Sequence, residues 1–541
     1  MQGRKEIQPK MMYQVTLDTL VSKDNFYRQL DSTLDLSFLY KETACYYGTE
    51  GQESIDPVVF FKVCMVGYLN NICSDRRLIE LCGNRLDVRL YLKYDLDESL
   101  PWHSTISRTR QLYGETVFLK LFQKVLSLCV DKGMVQGKRQ AIDSAFVKAN
   151  ASLDSLIARV KEEVIVDAAA YADELDQNSE YKINVEKTAD ASSVKVEEAI
   201  DAATCAVEST LTPEHKIKVE RAIEDSKDKK ETTPDKKTTS NKRHCSTTDP
   251  DAKISLKPGK ACHLNYYGQI AVDDAHHVIT GANADFADQR DSQCLEKITV
   301  QTIENLKQNN ISFEQLLADT GYSSGEALRF VEENNIDAYI PNHGSYTHNR
   351  EGFIYNKELD RYECIRGNMA VVPFVSIMTD SGHTRKIYRS SNEKCKDCPL
   401  RSTCIGKLTY KKITDSIDKP LYDKMHQKML TPYGKRMARV RGRTVEPVLG
   451  TLLTFMGMKR VNARGIEQAN KHVMMAALCY NLKKCIKFVR PKVKSIAIAL
   501  IKEQNWTEVH SLASIRAVLS GLVRVLTMQS KNKNCSLIAS N

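Results

Sequence analysis

The sequence predicts a mixed α/β fold, a sheet flanked by helices and split by insertions, with an all-helical region in front of it. Three observations predict it. Apolar residues recur at three- and four-residue spacing through residues 13–130, the pattern of packed amphipathic helices. From Gly137 the order becomes strand, inserted helices, hairpin, helix, strand, helix, strand, which a mixed sheet with one antiparallel pair accommodates. Two stretches, 153–250 and 342–432, interrupt that order by a shift in composition.

At 541 residues the chain is too long for one core, and its length suggests roughly three or four domains. The expected bounds are 1–133 for the helical region and 137–341 with 433–488 for the α/β unit. A charged helical and disordered insertion at 153–250 lies within that unit, a β-rich cysteine-bearing insertion spans 342–432, and a helical tail spans 489–541. Lys and Arg number 78 against 68 Asp and Glu, a net +10, and this mildly basic balance permits a polyanionic partner. No apolar run approaches the ~18 residues that a bilayer span needs, so a helical membrane protein is excluded. The start, MQGRKEIQPKMMYQ, lacks the apolar core of a secretory signal. The 16 cysteines, mostly scattered singly, then suit a reducing cytosol.

In the helical region Asp56 and Pro57 mark a helix start and Gly133 a stop. Between the third and fourth helices, LPWHSTISRTR puts Pro101, His103 and Ser104 in a turn and begins a helix at Thr105 that carries Arg108 and Arg110. Paired arginines at a helix start can grip phosphate, or form an ordinary charged face; His103 reads as a turn residue.

Residues 139–147, RQAIDSAFV, read as a strand with Asp143 at its middle. A buried strand acid needs a partner or a metal ion, unless the strand is an edge whose acid meets water. After the insertion, strands 266–273 and 277–284 turn at Asp274 and Ala275. A helix over 287–308, a strand over 313–319, a helix over 324–334 and a strand in IDAYIPN follow. The strand 313–319 ends on Asp319 and passes through a Gly/Ser turn. Sites in open α/β sheets gather outside the carboxyl ends of strands, so Asp319 is a ligand candidate; it is equally a turn or cap residue, as Ser323 and Ser324 are.

In NEKCKDCPLRSTC the pair Cys395 and Cys398, with Cys404 after it and Cys364 before it, has the C-x2-C spacing that suits tetrahedral Zn2+. Thiols also serve as small apolar core residues. The run Lys435, Arg436, Arg439, Arg441, Arg443 contains no acid and precedes Glu446 and Pro447. With Thr444 as N-cap, both fall in the first turn of a helix, where an acid is favoured and proline tolerated. A second helix, 466–487, is apolar enough to lie on the sheet, and beyond 490 come amphipathic helices and a basic tail.

AIDSAFVKANAS around Asp143, LLADTGYSSGEAL around Asp319, and RTVEPVLGTL around Glu446 with RVNARG and YNLKK after it resemble the DDE-type bacterial insertion-sequence transposases, whose catalytic domain is ribonuclease H-like. SIDPVVFFKVCMVGYLNNICSDRRLIE and LPWHSTISRTR resemble the helical domain that precedes that core, while TTDPDAKI and the cysteine-bearing insertion resemble further family segments. The resemblance covers most of residues 20–488.

The resemblance implies that Asp143, Asp319 and Glu446 are the catalytic carboxylates and hold two Mg2+ (or Mn2+) ions. Asp143 would bridge both ions, with Asp319 and Glu446 each completing one. In-line phosphodiester displacement uses such ions about 3.5–4 Å apart. The implied partners are double-stranded DNA at the element ends and at the target, met in the bacterial cytoplasm at the nucleoid by a homodimer assembled on DNA. Strand nicking would come first, and attack of the freed 3′-hydroxyl on target DNA second. Arg108, Arg110, Arg436, Arg439, Arg441 and Arg443 are the expected phosphate contacts. Relatives usually carry Lys or Arg seven residues after the glutamate, where this chain has Leu453; Lys459 or Arg460 would stand in from the next turns, and Tyr433 would be the family tyrosine before the glutamate, at a longer spacing than the family pattern. The same residues also suit a DNA-binding copy that no longer cuts, or a nuclease that does not join.

Overall fold

Asp56 accepts hydrogen bonds from the amides of Val58 and Val59, and Pro57 behind it has no amide to leave unpaired, so a helix starts there as expected. The computed structural model describes residues 15–48, 50, 54–158, 240–255, 262–344, 346, 350–380 and 383–488. The chain divides into Met1–Ile486 and Lys487–Asn541. The helices expected between 159 and 239, and those beyond 490, lie outside the described residues.

The N-terminal region contains α1 (Phe26–Thr33), α2 (Pro57–Leu69), α3 (Asp75–Asn84), α4 (His103–Leu112) and α5 (Glu115–Asp131). Phe60 and Phe61 of α2 pack with Tyr113 and Phe118 at centroid distances of 5.0–5.8 Å, all fully or almost fully buried. Each such ring contributes roughly 1.5–3 kcal/mol of transfer free energy. Helix α4 begins at His103, two residues before the expected Thr105, so His103 belongs to its first turn.

Five strands then form the sheet: β1 (Arg139–Lys148), β2 (His263–Asp273), β3 (Ile279–Phe286), β4 (Gln315–Leu317) and β5 (Asp337–Tyr339). Their order is β3-β2-β1-β4-β5, with a short sixth strand, Lys253–Ser255, on the same edge of β2 as β3. The β1–β2 and β2–β3 pairs are antiparallel, whereas β1–β4 and β4–β5 are parallel. The hairpin is wider than expected. Residues 274–278 connect its strands, His277 has φ 55°, and the Asp273 carboxylate accepts from the amide of Ala275.

Helices α6 (Asp291–Lys307) and α7 (Gly325–Glu333) cover one face, packing Leu295, Ile298, Leu328 and Val331 on Ile142, Ala271 and Leu316. A second antiparallel sheet follows: β6 (Phe353–Asn356), β7 (Arg361–Cys364), β8 (Val371–Asp380), β9 (His383–Arg389) and β10 (Lys412–Ser416), in the order β10-β9-β8-β7-β6. The chain returns through α8 (Lys419–Leu430), α9 (Pro432–Phe455) and α10 (Ile466–Lys487). Residues 156–158 and 244–246 pair antiparallel, which brings together the two ends of the insertion between them.

Two expectations are corrected here. Thr444 is not an N-cap: α9 is one 24-residue helix capped by Thr431, whose hydroxyl accepts from the amide of Gly434, and Pro447 lies inside it. Lys and Arg are good helix formers, so the basic run is itself helical. Met437, Thr444, Val445, Val448, Leu449 and Leu452 keep one side of it buried, while Pro447 sits on the exposed side. There the carbonyl that proline leaves without an amide partner faces toward water.

Helix α10 does not merely lie on the sheet; it is buried on almost every side. On the sheet side Asn481 accepts from the Ile279 amide at 2.9 Å and donates to the Ile279 carbonyl at 2.8 Å. Gly268 of β2 makes room there, since a Cβ on it would lie 2.6 Å from Met458 Cε and 3.4 Å from Val473 Cγ2. The N-terminal helices close the other side, where Tyr68 of α2 and Nδ1 of His472 are 2.7 Å apart.

Candidate active site

Asp143 and Asp319 are brought together by strand register. Strand β1 pairs in parallel with β4 as Arg139↔Gln315, Gln140↔Leu316 and Ala141↔Leu317. Continued by two residues, that register sets Asp143 opposite Asp319, at the carboxyl end of β4. Asp143 is half-buried; its Oδ1 accepts from the Ser144 amide at 2.8 Å. Burial pushes its carboxyl above the ordinary range, the Ser144 amide and Arg441 pull it down, and neighbouring Asp319 pushes it further up. Asp319 also caps the single turn Thr320–Tyr322, accepting from the Gly321 amide at 2.9 Å. The cap and ligand readings therefore describe the same side chain, because a carboxylate has an oxygen for each.

Glu446 lies on α9 and is tied to Asp143 by one guanidinium. Arg441 Nη1 is 2.9 Å from Asp143 Oδ2, and Nη2 is 2.9 Å from Glu446 Oε1. Gly442 permits this: a Cβ there would come within 3.1 Å of Glu446 Oε1.

A fourth acid stands beside these and was not singled out from the sequence. Asp291, the first residue of α6, accepts from the Ser144 hydroxyl. Its Oδ2 and Asp319 Oδ1 lie 2.7 and 3.1 Å from where a Cβ on Gly321 would be. In sequence it reads only as a first-turn helix acid, so no local signal marked it. Tyr322, fully buried beneath the carboxylates, donates to Gln269. Burial, with Asp291 and Asp143 nearby, raises its phenol well above the usual value.

The expected phosphate contacts separate into three kinds. Arg108, Arg436, Arg439 and Arg443 are exposed. Arg110 is not: it is 7% exposed and donates to both oxygens of Asp75, at 2.7 and 3.0 Å. Its expected phosphate role is corrected, since α4 turns it inward to join α4 to α3. Arg441 is taken up by the carboxylates.

Lys459 and Arg460 are exposed but do not come from further turns of α9, which ends at Phe455. Their segment runs beside the end of β1 instead, where the Lys148 amide donates to the Lys459 carbonyl at 3.0 Å and the Val461 amide to the Lys148 carbonyl at 2.9 Å. Exposed Lys148 thereby joins them, a neighbour no spacing rule reveals. Tyr433 donates to Gln315, at the amino end of β4. Four residues of extended chain separate Gln315 from Asp319, roughly 13 Å, so Tyr433 stands apart from the carboxylates.

The cysteine expectation is not supported. Cys364, Cys395, Cys398 and Cys404 are free thiols. Cys364 and Cys398 both approach Gly367, but Cys395 pairs with the Ser390 hydroxyl at 3.0 Å and Cys404 is exposed. Among the described residues no three His, Cys, Asp or Glu side chains converge as a metal cage, at the thiols or at the carboxylates. At the carboxylates the donors are nevertheless all oxygen, the set that Mg2+ and Mn2+ take. The guanidinium of Arg441 occupies the approach between Asp143 and Glu446.

Two family models match the chain. One, described as a transposase domain (DUF772), covers residues 15–112, from the first turns through α4. The other, described as a transposase DDE domain, covers residues 364–486, from the second sheet through α10, and includes Arg441 and Glu446. Curated proteins return no match. Among the described residues no helix is long and apolar enough to cross a membrane.

Proposed function

The chain belongs to the DDE-type insertion-sequence transposases, and on that premise we propose that it binds the ends of its element and cuts and joins DNA strands at Asp143, Asp319 and Glu446. The observation that carries this reading is the placement of Asp143 opposite Asp319 at the end of a parallel strand pair, with Glu446 linked to Asp143 through one arginine. The strand order, with the second strand antiparallel to the other four, supports a ribonuclease H-like catalytic unit.

DDE transposases use divalent metal ions. Asp143, Asp319 and Glu446 would hold two Mg2+ or Mn2+ ions, which when bound activate the attacking oxygen and stabilise the leaving one. The chain's own part is positioning. Strand β1 carries Asp143, the parallel β4 leads to Asp319 two residues past its end, and the bond from Gly321 fixes the direction of Asp319. Exposed Arg436, Arg439 and Arg443 on α9 offer phosphate contacts on the helix that carries Glu446, while Lys148, Lys459 and Arg460 offer them at the end of β1. Arg108 on α4 does so for the helical region. The substrate is double-stranded DNA, nicked at the element ends and then joined to target DNA through the freed 3′-hydroxyl by a dimer assembled on the paired ends.

A second reading, a copy that binds DNA without cutting, is favoured by Leu453, which puts an apolar side chain where relatives present a cation. A strand-transfer assay with Mg2+ and a duplex carrying the element end separates these. Joined products support the transposase, cleavage without joining a nuclease, and binding alone the non-cutting copy.

A further inference from the structure

We infer that Arg441 is a displaceable internal counter-ion that couples DNA binding to divalent-cation binding. The inference rests on Asp143, Asp319 and Glu446 being the metal-binding carboxylates. Both oxygens of Asp143 have partners, Oδ1 the Ser144 amide and Oδ2 the Arg441 guanidinium. A cation that uses Oδ2 must displace the guanidinium. The two halves of the clamp differ in strength. The side chains of Arg441 and Asp143 are 15% and 16% exposed, whereas Glu446 is 61% exposed, so water weakens the Glu446 half.

A displaced guanidinium needs another anion that presents two oxygens to its planar fork, and a DNA phosphodiester does so with its two non-bridging oxygens. Arg436, Arg439 and Arg443 are exposed along the same helix and take part in no ion pair among the described residues, so they lead a phosphate backbone toward Arg441. The arginine then turns from carboxylate to phosphate as the metal arrives. It supplies the cation near the carboxylates that the helix lacks at Leu453. Because binding couplings are reciprocal, the device keeps metal affinity low until DNA is present.

The test is calorimetric titration of Ca2+ into the full chain, with and without a short random-sequence duplex, since phosphate contacts are sequence-independent. The wild type is expected to bind Ca2+ about tenfold tighter with the duplex, within the usual range of coupling. Arg441→Ala is expected to bind Ca2+ about tenfold tighter than wild type without DNA, and to gain less than about twofold from the duplex. Arg441→Gln, which removes the charge but keeps part of the stem and an amide donor, gives the same readout if the alanine variant does not fold. Unchanged or weaker Ca2+ binding by these variants, or an undiminished effect of DNA, overturns the inference. Asp319→Asn distinguishes the premise: if it binds Ca2+ as the wild type does, the carboxylate assignment itself is wrong and the inference falls with it.

Discussion

Asp143 and Asp319 occupy facing positions on two parallel strands, one in the middle of β1 and one just past the end of β4. Two like charges in that relation are costly unless something positive comes between them, and this chain places Arg441 on Asp143. Asp143 is held by its pairing with Ile270 of β2 and Asp319 by the Gly321 amide, so their opposition does not depend on the arginine.

Substitution at Asp319 separates its two duties. Asparagine keeps an acceptor for the Gly321 amide, so Asp319→Asn is expected to fold normally and bind DNA within a few fold of wild type while losing Mg2+-dependent cleavage. Asp319→Ala also loses the cap and should be about 1 kcal/mol less stable than Asp319→Asn. Retained cleavage by the asparagine variant, measured on end-containing DNA, would remove Asp319 from the active site.

The two arginines of α4 should behave oppositely. Arg110→Ala strands Asp75 in a largely buried position and is expected to cost about 3–5 kcal/mol by chemical denaturation. Arg108→Ala should leave stability within about 0.5 kcal/mol, weaken DNA binding, and reduce the salt slope of the binding constant by about one. Equal stability losses would contradict the burial of one and the exposure of the other.

His472 gives the protein an acid-sensitive seam between the N-terminal helices and α10. Burial lowers its pKa from 6.5 to about 4. A histidine whose folded value is depressed contributes stability that is complete above the unfolded value and lost as pH falls through the folded one. Between pH 6.5 and 4 the wild type should therefore lose about 3 kcal/mol relative to His472→Gln, read as the difference between their denaturation midpoints across pH. Parallel pH profiles would show that the ring takes up no proton on unfolding.

Gly137 precedes β1 with φ +74°, and a Cβ on it would meet the Ser312 carbonyl at 2.2 Å. Gly137→Ala is expected to cost more than the roughly 1–2 kcal/mol of left-handed strain alone. It should also impair cleavage, since it shifts the start of the strand that carries Asp143. A denaturation curve matching wild type would show that the segment 311–312 gives way freely.

Much of the α/β unit was legible because its signals are local. The β-branched and aromatic residues of 139–147 and 266–273, the Gly/Ser turn after Asp319 and the periodicity of 324–334 each lie within a few residues, and the strands and helices appear where they point. The boundary at Thr444 misled for the same reason. Thr, Glu and Pro together form a sound helix start, yet the helix had already begun at Pro432 and was held by apolar contacts that a capping rule does not weigh.

The sequence alone carried the mixed α/β class and the order of the described elements, and resemblance pointed to three carboxylates as candidates. Only the tertiary structure decided what surrounds them. It turned Arg110 onto Asp75, set Arg441 between Asp143 and Glu446, brought Asp291 to Ser144, and laid Lys459 and Arg460 along the end of β1. A charge's role depends on which charge it meets. Asp143 and Arg441 are joined across almost three hundred residues of chain, and strand pairing and helix packing, which bring them within hydrogen-bonding distance, leave no trace in the spacing of either motif.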